Sequence, residues 1–146
     1  MIDYRRITPA DVPAVAQLAR AALATAGDLP LRPSAAKIDA AVAFFADTPG
    51  HFQMAAFDDG RPVAAVAAMV QEMPFHERRE AHVCMCFSTL PGAGMRLIRA
   101  LVAWFREDFL LRRLVWAMNP GFDERLTRLA RRIGFEAACP MFVMMK

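Results

Sequence analysis

The stretch LPGAGMRLIRALVAWFRED, Leu90 to Asp108, decides how the rest of this chain is read. A strand-like run, Glu80 to Ser88, feeds a short loop with two glycines, Gly92 and Gly94. An amphipathic helix follows from about Met95 to Asp108, with Met95, Ile98, Leu101, Val102 and Phe105 inward and Arg96, Arg99 and Arg106 outward. This order sets bare backbone N–H groups at a helix N-terminus, beside glycines that let a ligand come close. Such a place favours an anion, usually a phosphate. A plain strand-to-helix turn uses the same glycines, so the neighbouring segments decide between the two readings.

Upstream, Met1 to Ile7 reads as a first strand. Thr8-Pro9-Ala10-Asp11 is a helix start, with Thr8 as cap, Pro9 in the first helical position and Asp11 at the positive end of the dipole. Val12, Val15, Leu18 and Leu23 form the apolar stripe of that helix, and Gly27-Asp28-Leu29-Pro30 ends it. Ser34 caps a second helix with Ile38, Val42 and Phe45 inward, which stops at Thr48-Pro49-Gly50. Two apolar runs, His51 to Phe57 and Pro62 to Glu72, flank Asp58-Asp59-Gly60-Arg61, a hairpin signal. Downstream, Leu114 to Met118 reads as a short strand and Asp123 as the cap of a fourth helix that buries Leu126, Leu129, Ala130 and Ile133. Gly134 stands where a helix C-terminus wants a left-handed residue, and Phe135 to Cys139 and Met141 to Lys146 read as two closing strands. The order is β-α-α-β-β-β-α-β-α-β-β, a mixed α/β fold in one domain, residues 1–146.

Bulk properties narrow the function classes. The chain is 56% hydrophobic, too apolar for a disordered chain, yet no apolar run approaches a membrane span. The start, MIDYRR, has no apolar signal-peptide core. Cys84, Cys86 and Cys139 cannot all pair within one chain, so reduced thiols in a cytoplasmic protein are expected. Cys84-x-Cys86 has no second ligand pair at metal-site spacing, which argues against zinc. A net charge of +3 suits an anionic small molecule as well as a nucleic acid. Arg125, Arg128, Arg131 and Arg132 lack interleaved aromatics, so the fourth helix reads as a solvated face and nucleic-acid binding is not favoured. Trp104, Trp116, Phe44 and Phe45 sit at core-like spacings.

Taken with LVWAMNPGFDERLTRLARRIGFEAACPMFVMMK, Leu114 to Lys146, the glycine loop and its helix resemble the GCN5-related N-acetyltransferase (GNAT) family. ITPADVPAVAQLAR resembles the family's first strand and helix, PGAGMRLIRAL its pyrophosphate loop and third helix, and LTRLARRIGF its closing helix and Gly-Phe pair. The resemblance covers essentially the whole chain and implies an acyl-CoA acyltransferase fold. It also implies acetyl-CoA as co-substrate, an amine acceptor and direct transfer. Backbone N–H groups from Ala93 through Gly94, Met95, Arg96 and Leu97 would hold the pyrophosphate, with Gly92, Phe87 and Ser88 beside them. Pro91 stands where the family carries Arg, and Arg96 where it carries a small residue; Arg96 either pairs with a phosphate or fills the groove. Asn119 either meets the pantetheine amide or shapes the Asn-Pro-Gly turn, and the turn is favoured.

The family places its base early on the fourth strand, where Glu80 and His82 stand here. Strict alternation puts Glu80, His82, Cys84, Cys86 and Ser88 on one face, the makings of a cleft. The competing reading makes Glu80 a solvated strand end and His82 a hydrogen-bonded partner. The family often carries a tyrosine acid where this chain has Ala130, and the chain's sole tyrosine, Tyr4, is on the first strand. Two functions therefore stand: an N-acetyltransferase with Glu80 or His82 as base, or a catalytically degenerate relative used for binding or assembly, of a kind that phage genomes also encode. A homodimer or an assembly partner is compatible with either.

Overall fold

The computed structural model describes residues 1–25, 33–75, 77–117 and 124–137. Its centre is one sheet in the order β1-β2-β3-β4-β5, comprising β1 (Ile2–Arg5), β2 (Phe52–Asp58), β3 (Arg61–Glu72), β4 (Arg79–Ser88) and β5 (Leu111–Val115). The first three pairings are antiparallel and β4–β5 is parallel. A parallel neighbour needs a crossover, which α3 (Ala93–Glu107) supplies. The chain also forms α1 (Val12–Ala24), α2 (Ala35–Asp47) and α4 (Glu124–Arg132).

Local chemistry explains the boundaries. Asp59 (φ 47°) and Gly60 (φ 76°) make the two-residue turn between β2 and β3, and left-handed backbone at both centres is what a tight hairpin requires. The Ser34 hydroxyl accepts from the Lys37 N–H at 3.4 Å and starts α2. Before α1, a short 3₁₀ turn at Pro9–Asp11 is tied by the Asp11 carboxylate, which accepts from the Thr8 N–H at 2.9 Å and from Arg5 through two bonds of 2.6 and 2.7 Å. Gly134 (φ 103°) ends α4, with the Phe135 N–H reaching back to the Ala130 carbonyl at 3.0 Å and the Gly134 N–H to Arg131 at 3.1 Å.

The core has two layers, one on each face of the sheet. Leu97, Ile98 and Leu101 of α3 pack on Phe52, Ala64, Val66, Ala68 and Ala81. Val15 and Ala16 of α1 and Val42 of α2 pack with Ile7, Ala55, Phe57 and Ala65 on the other face. Ala64, Ala65, Val66, Ala67 and Ala68 of β3 are all fully buried. Small side chains there let helices approach the sheet closely from both sides.

The structure moves several expected elements. α3 begins at Ala93, two residues earlier than the apolar stripe suggests, because Gly92 in left-handed backbone (φ 84°) turns the chain straight into the helix. β5 begins at Leu111, three residues early, because Leu111 is a buried core residue and the pairing resumes at Arg113 after a register slip that leaves Arg112 without a partner on β4. Phe44 is partly exposed rather than core, while Phe45 is buried and Trp104 packs against Phe52 at 5.4 Å. Phe135 to Ala137 form no strand, and the remainder of the two expected closing strands lies outside the described residues, as do Asn119, Asp123 and Cys139.

Candidate active site

β4 lies between β3 and β5 and carries most of the candidate groups. It pairs with β3 along its length, but the register slips where Ala67 faces Met85 and Ala68 faces Val83. Cys84 is the extra residue of a β-bulge, which leaves a backbone group outside the ladder and bends the strand. β5 pairs with β4 only from Arg79 to His82. From Val83 to Ser88 the β5 side of β4 has no strand partner among the described residues, so its N–H and C=O groups face an open edge.

The bulge corrects the expected alternation. Ala81 and Val83 pack on the α3 face, as does Cys86, whereas Met85 and Phe87 pack on the α1/α2 face. One extra residue shifts the parity of everything after it. Glu80 and His82 therefore sit on the α1/α2 face, while Cys86 and Ser88 sit on the opposite one. The single five-residue polar face does not exist. What remains is a smaller cluster around Glu80.

Glu80 is buried at 6% exposure, so it is no solvated strand end. One carboxylate oxygen accepts from Arg113 Nη1 at 2.7 Å, across the β4–β5 pair in which Glu80 and Arg113 are register partners. The other meets His82 Nε2 at 3.2 Å. A carboxylate between these partners only accepts, so Nε2 carries the imidazole proton and Nδ1 keeps the lone pair in the neutral ring. The sequence reading missed Arg113. Starting β5 three residues earlier would have placed it opposite Glu80.

The two thiols are poor nucleophiles. Burial pushes Cys86 up to about 11. Burial also raises Cys84, against a smaller opposing effect of a hydrogen bond with the Met69 backbone, and its Sγ donates to the His82 carbonyl at 3.2 Å. Thiols so placed stay protonated near neutral pH. No group of three or more His, Cys, Asp or Glu able to hold a metal exists among the described residues.

The glycine loop lies at the far end of β4. A Cβ on Gly94 would stand 3.1 Å from the Ser88 Cβ, so the absence of a side chain lets α3 start directly against the strand end. The Ser88 hydroxyl is used locally, donating to the Leu90 carbonyl at 2.7 Å. The Ala93 N–H makes a long 3.3 Å bond to the same carbonyl. With the helix starting at Ala93, the N–H groups of Gly94 and Met95 have no acceptor within the helix. Arg96 and Leu97 already belong to its hydrogen-bonded ladder, and Leu97 is fully buried, so their amides do not join this cradle. Pro91 and Gly92 are exposed beside it. Such a cradle accepts an anion through backbone donors, and Pro91 supplies none.

The Arg96 guanidinium lies over the Tyr4 ring, 4.3 Å from its centroid. Ser88, Ala64, Ala56 and Tyr4 are successive register partners across β4, β3, β2 and β1. The first turns of α3 cross this row, with Gly94 above Ser88 at one end and Arg96 above Tyr4 at the other. The Phe87 side chain faces the α1/α2 layer, away from the cradle. Ala130 is 3% exposed in α4, which leaves little space for anything larger.

No protein-family model matches the sequence, and no curated protein matches it. Solved structures do match. A predicted acetyltransferase from Clostridium acetobutylicum, solved with acetyl-CoA, is 14% identical with a TM-score of 0.79, over 99% of this chain and 96% of that one. An aminoglycoside acetyltransferase from an uncultured soil metagenomic sample is 17% identical with a TM-score of 0.72, over 100% and 99%. An acetyltransferase of the GNAT family from Streptococcus pneumoniae is 13% identical with a TM-score of 0.71, over 92% and 83%. These likenesses establish the fold: the chain is built as the GNAT acetyltransferases are.

Proposed function

We propose that the protein is an N-acetyltransferase that moves the acetyl group of acetyl-CoA directly to an amine, acting as one domain. One observation carries this reading: the open, bulged edge of β4 runs from the Glu80–His82 cluster to the anion cradle at the start of α3. A cofactor with a phosphate at one end and a thioester at the other suits that layout. Gly94 and Met95 would bind its pyrophosphate through their N–H groups. Unpaired backbone groups of Val83 to Ser88 would hold its amide-containing arm as a strand would, and an N–H freed at the bulge would face the developing oxyanion. Met69 neighbours His82 across β3–β4 and adds no competing charge.

His82, held by Glu80, takes the amine proton at Nδ1, directly or through one water. Glu80 orients the ring and offsets the positive charge that follows. With Ala130 in place of a phenol, the departing thiolate takes its proton from solvent. Phe87 and Ser88 border the arm, and Asn119 is proposed at its turn. Neither protonated thiol offers the acceptor for a covalent relay.

Calorimetry with acetyl-CoA tests this reading, together with release of free thiol in the presence of amines. Pro91→Glu places a carboxylate at the exposed lip of the cradle and should abolish binding while leaving the melting temperature within a few degrees of wild type. Absence of heat at millimolar acetyl-CoA would overturn the proposal.

A further inference from the structure

We infer that the acceptor is an amine that also carries an anionic group, a carboxylate or a phosphate, and that Arg113 is the residue that selects it. The inference rests on the acetyl-transfer reading and names the acceptor class for that site.

The argument starts from where the charges are. On the face that holds Glu80 and His82, the β4 positions are Glu80, His82, Met85 and Phe87 and the β5 positions paired with the first two are Arg113 and Val115, with Gln71 and Met69 as the β3 register partners of Glu80 and His82. Arg79, which might have added charge, alternates to the other face and lies 3.9 Å from Asp108. Glu80 is the one carboxylate of that set. It is buried, and both of its oxygens are engaged, by Arg113 and by His82. No acidic group in this set is left to receive a cationic acceptor.

Arg113 is the opposite case. Only Nη1 has a partner among the described residues, and the side chain is 61% exposed. Its other N–H donors fan out in a planar fork suited to a carboxylate or phosphate. The bond to Glu80 fixes the guanidinium within the same cluster as His82, so the fork is already oriented when an acceptor arrives. An anion bound there would place a neighbouring amine beside the imidazole. A polycation meets an exposed guanidinium instead, and like charges brought together lose affinity. This separates the protein from the aminoglycoside acetyltransferase whose fold it shares.

The test compares amino acids with their own amides as acceptors, and adds a polycationic aminoglycoside. Wild-type protein should acetylate an acid with kcat/KM about tenfold or more above the aminoglycoside. Arg113→Met should lower the acid-to-amide ratio of kcat/KM about tenfold or more, with any loss that acts through Glu80 common to both acceptors. Because each acid is compared with its amide in both proteins, intrinsic amine basicity cancels. Arg113→Lys keeps the charge without the fork and should recover part of the loss. If Arg113→Met unfolds, the wild-type panel and Arg113→Lys still decide. Acetyl-CoA binding with an acid-to-amide ratio of kcat/KM that is the same in wild type and Arg113→Met would overturn the inference alone, as would a preference for the aminoglycoside. Failure of acetyl-CoA to bind would overturn the acetyl-transfer reading beneath it.

Discussion

At the scale of single residues, the proposed chemistry rests on small displacements of ordinary groups. Glu80 and His82 are two positions apart on one strand, and burial of one with partial exposure of the other suits the proposed roles of holder and base. Their identity was legible because Glu and His are unusual on a sheet strand. Their true neighbours were not legible, since one extra residue at Cys84 reverses the faces beyond it and no residue type announces a bulge. Loss of a general base costs about 10²–10⁴ in rate. His82→Ala should fall in that range, measured as thiol release. Glu80→Gln should be milder in rate, because the base remains and only its orientation weakens. Equal, wild-type rates in both would place the base elsewhere. Ala130 gives a sharper structural test. It is buried at 3% exposure in the last turn of α4, so Ala130→Tyr should overpack and cost about 1–3 kcal/mol. Turnover should not rise, because a ring forced into packed space does not reach the cofactor. A faster variant of unchanged stability would reverse that conclusion.

At the scale of elements, the entry into α1 is set by one carboxylate. Asp11 binds Arg5 through two bonds, caps the Thr8 N–H and accepts from the Thr8 hydroxyl. The Arg5 guanidinium and then the Thr8 donors, outweighing burial, hold Asp11 well below the usual carboxylate range. The sign follows. The folded state binds this proton less readily than the unfolded chain, so the contribution is complete above the unfolded value near 3.8 and is lost as pH falls below it. Arg5 is partly exposed, so the contribution is about 1–2 kcal/mol after screening. Urea titrations of wild type and Asp11→Asn should differ by that amount at pH 7 and converge as pH drops toward 2. A constant difference across that range would assign the effect to packing. The start of α3 makes a second test. Arg96 stacks on Tyr4 rather than pointing along the cradle, so Arg96→Ala should cost about 0.5–1 kcal/mol of stability and leave acetyl-CoA affinity within about twofold. A large loss of affinity would put the guanidinium on a phosphate. The cap, the hairpin turn and the glycine loop were all legible, because capping and turn chemistry is local. The early start of β5 was not, since Arg112 and Arg113 look like loop residues until Glu80 is placed opposite them.

At the scale of the whole molecule, element order carried the fold. Sequence identity to the three structures named above is only 13–17%, yet each superposes on this chain with a TM-score above 0.7. Periodicity and turn residues survive where individual side chains do not, which is why the architecture could be read and the acceptor could not. The net charge of +3 is shared between two readings of the anionic partner, and salt separates them. A compact cofactor held by a few backbone N–H groups depends on short-range bonds that added salt screens weakly. A nucleic acid held by surface arginines releases counterions and loses about 10³–10⁵ in affinity between 50 and 200 mM salt when six to ten phosphates are contacted. Acetyl-CoA at about 100 times its Kd should stabilise the fold by about 2.7 kcal/mol, a rise of roughly 5–10 °C in melting temperature. That rise should shrink by less than half between 50 and 200 mM salt, and double-stranded DNA should give none at either concentration. A shift that appears with DNA and disappears over the same salt range would assign the basic surface to nucleic acid and leave the cradle at α3 without its proposed ligand.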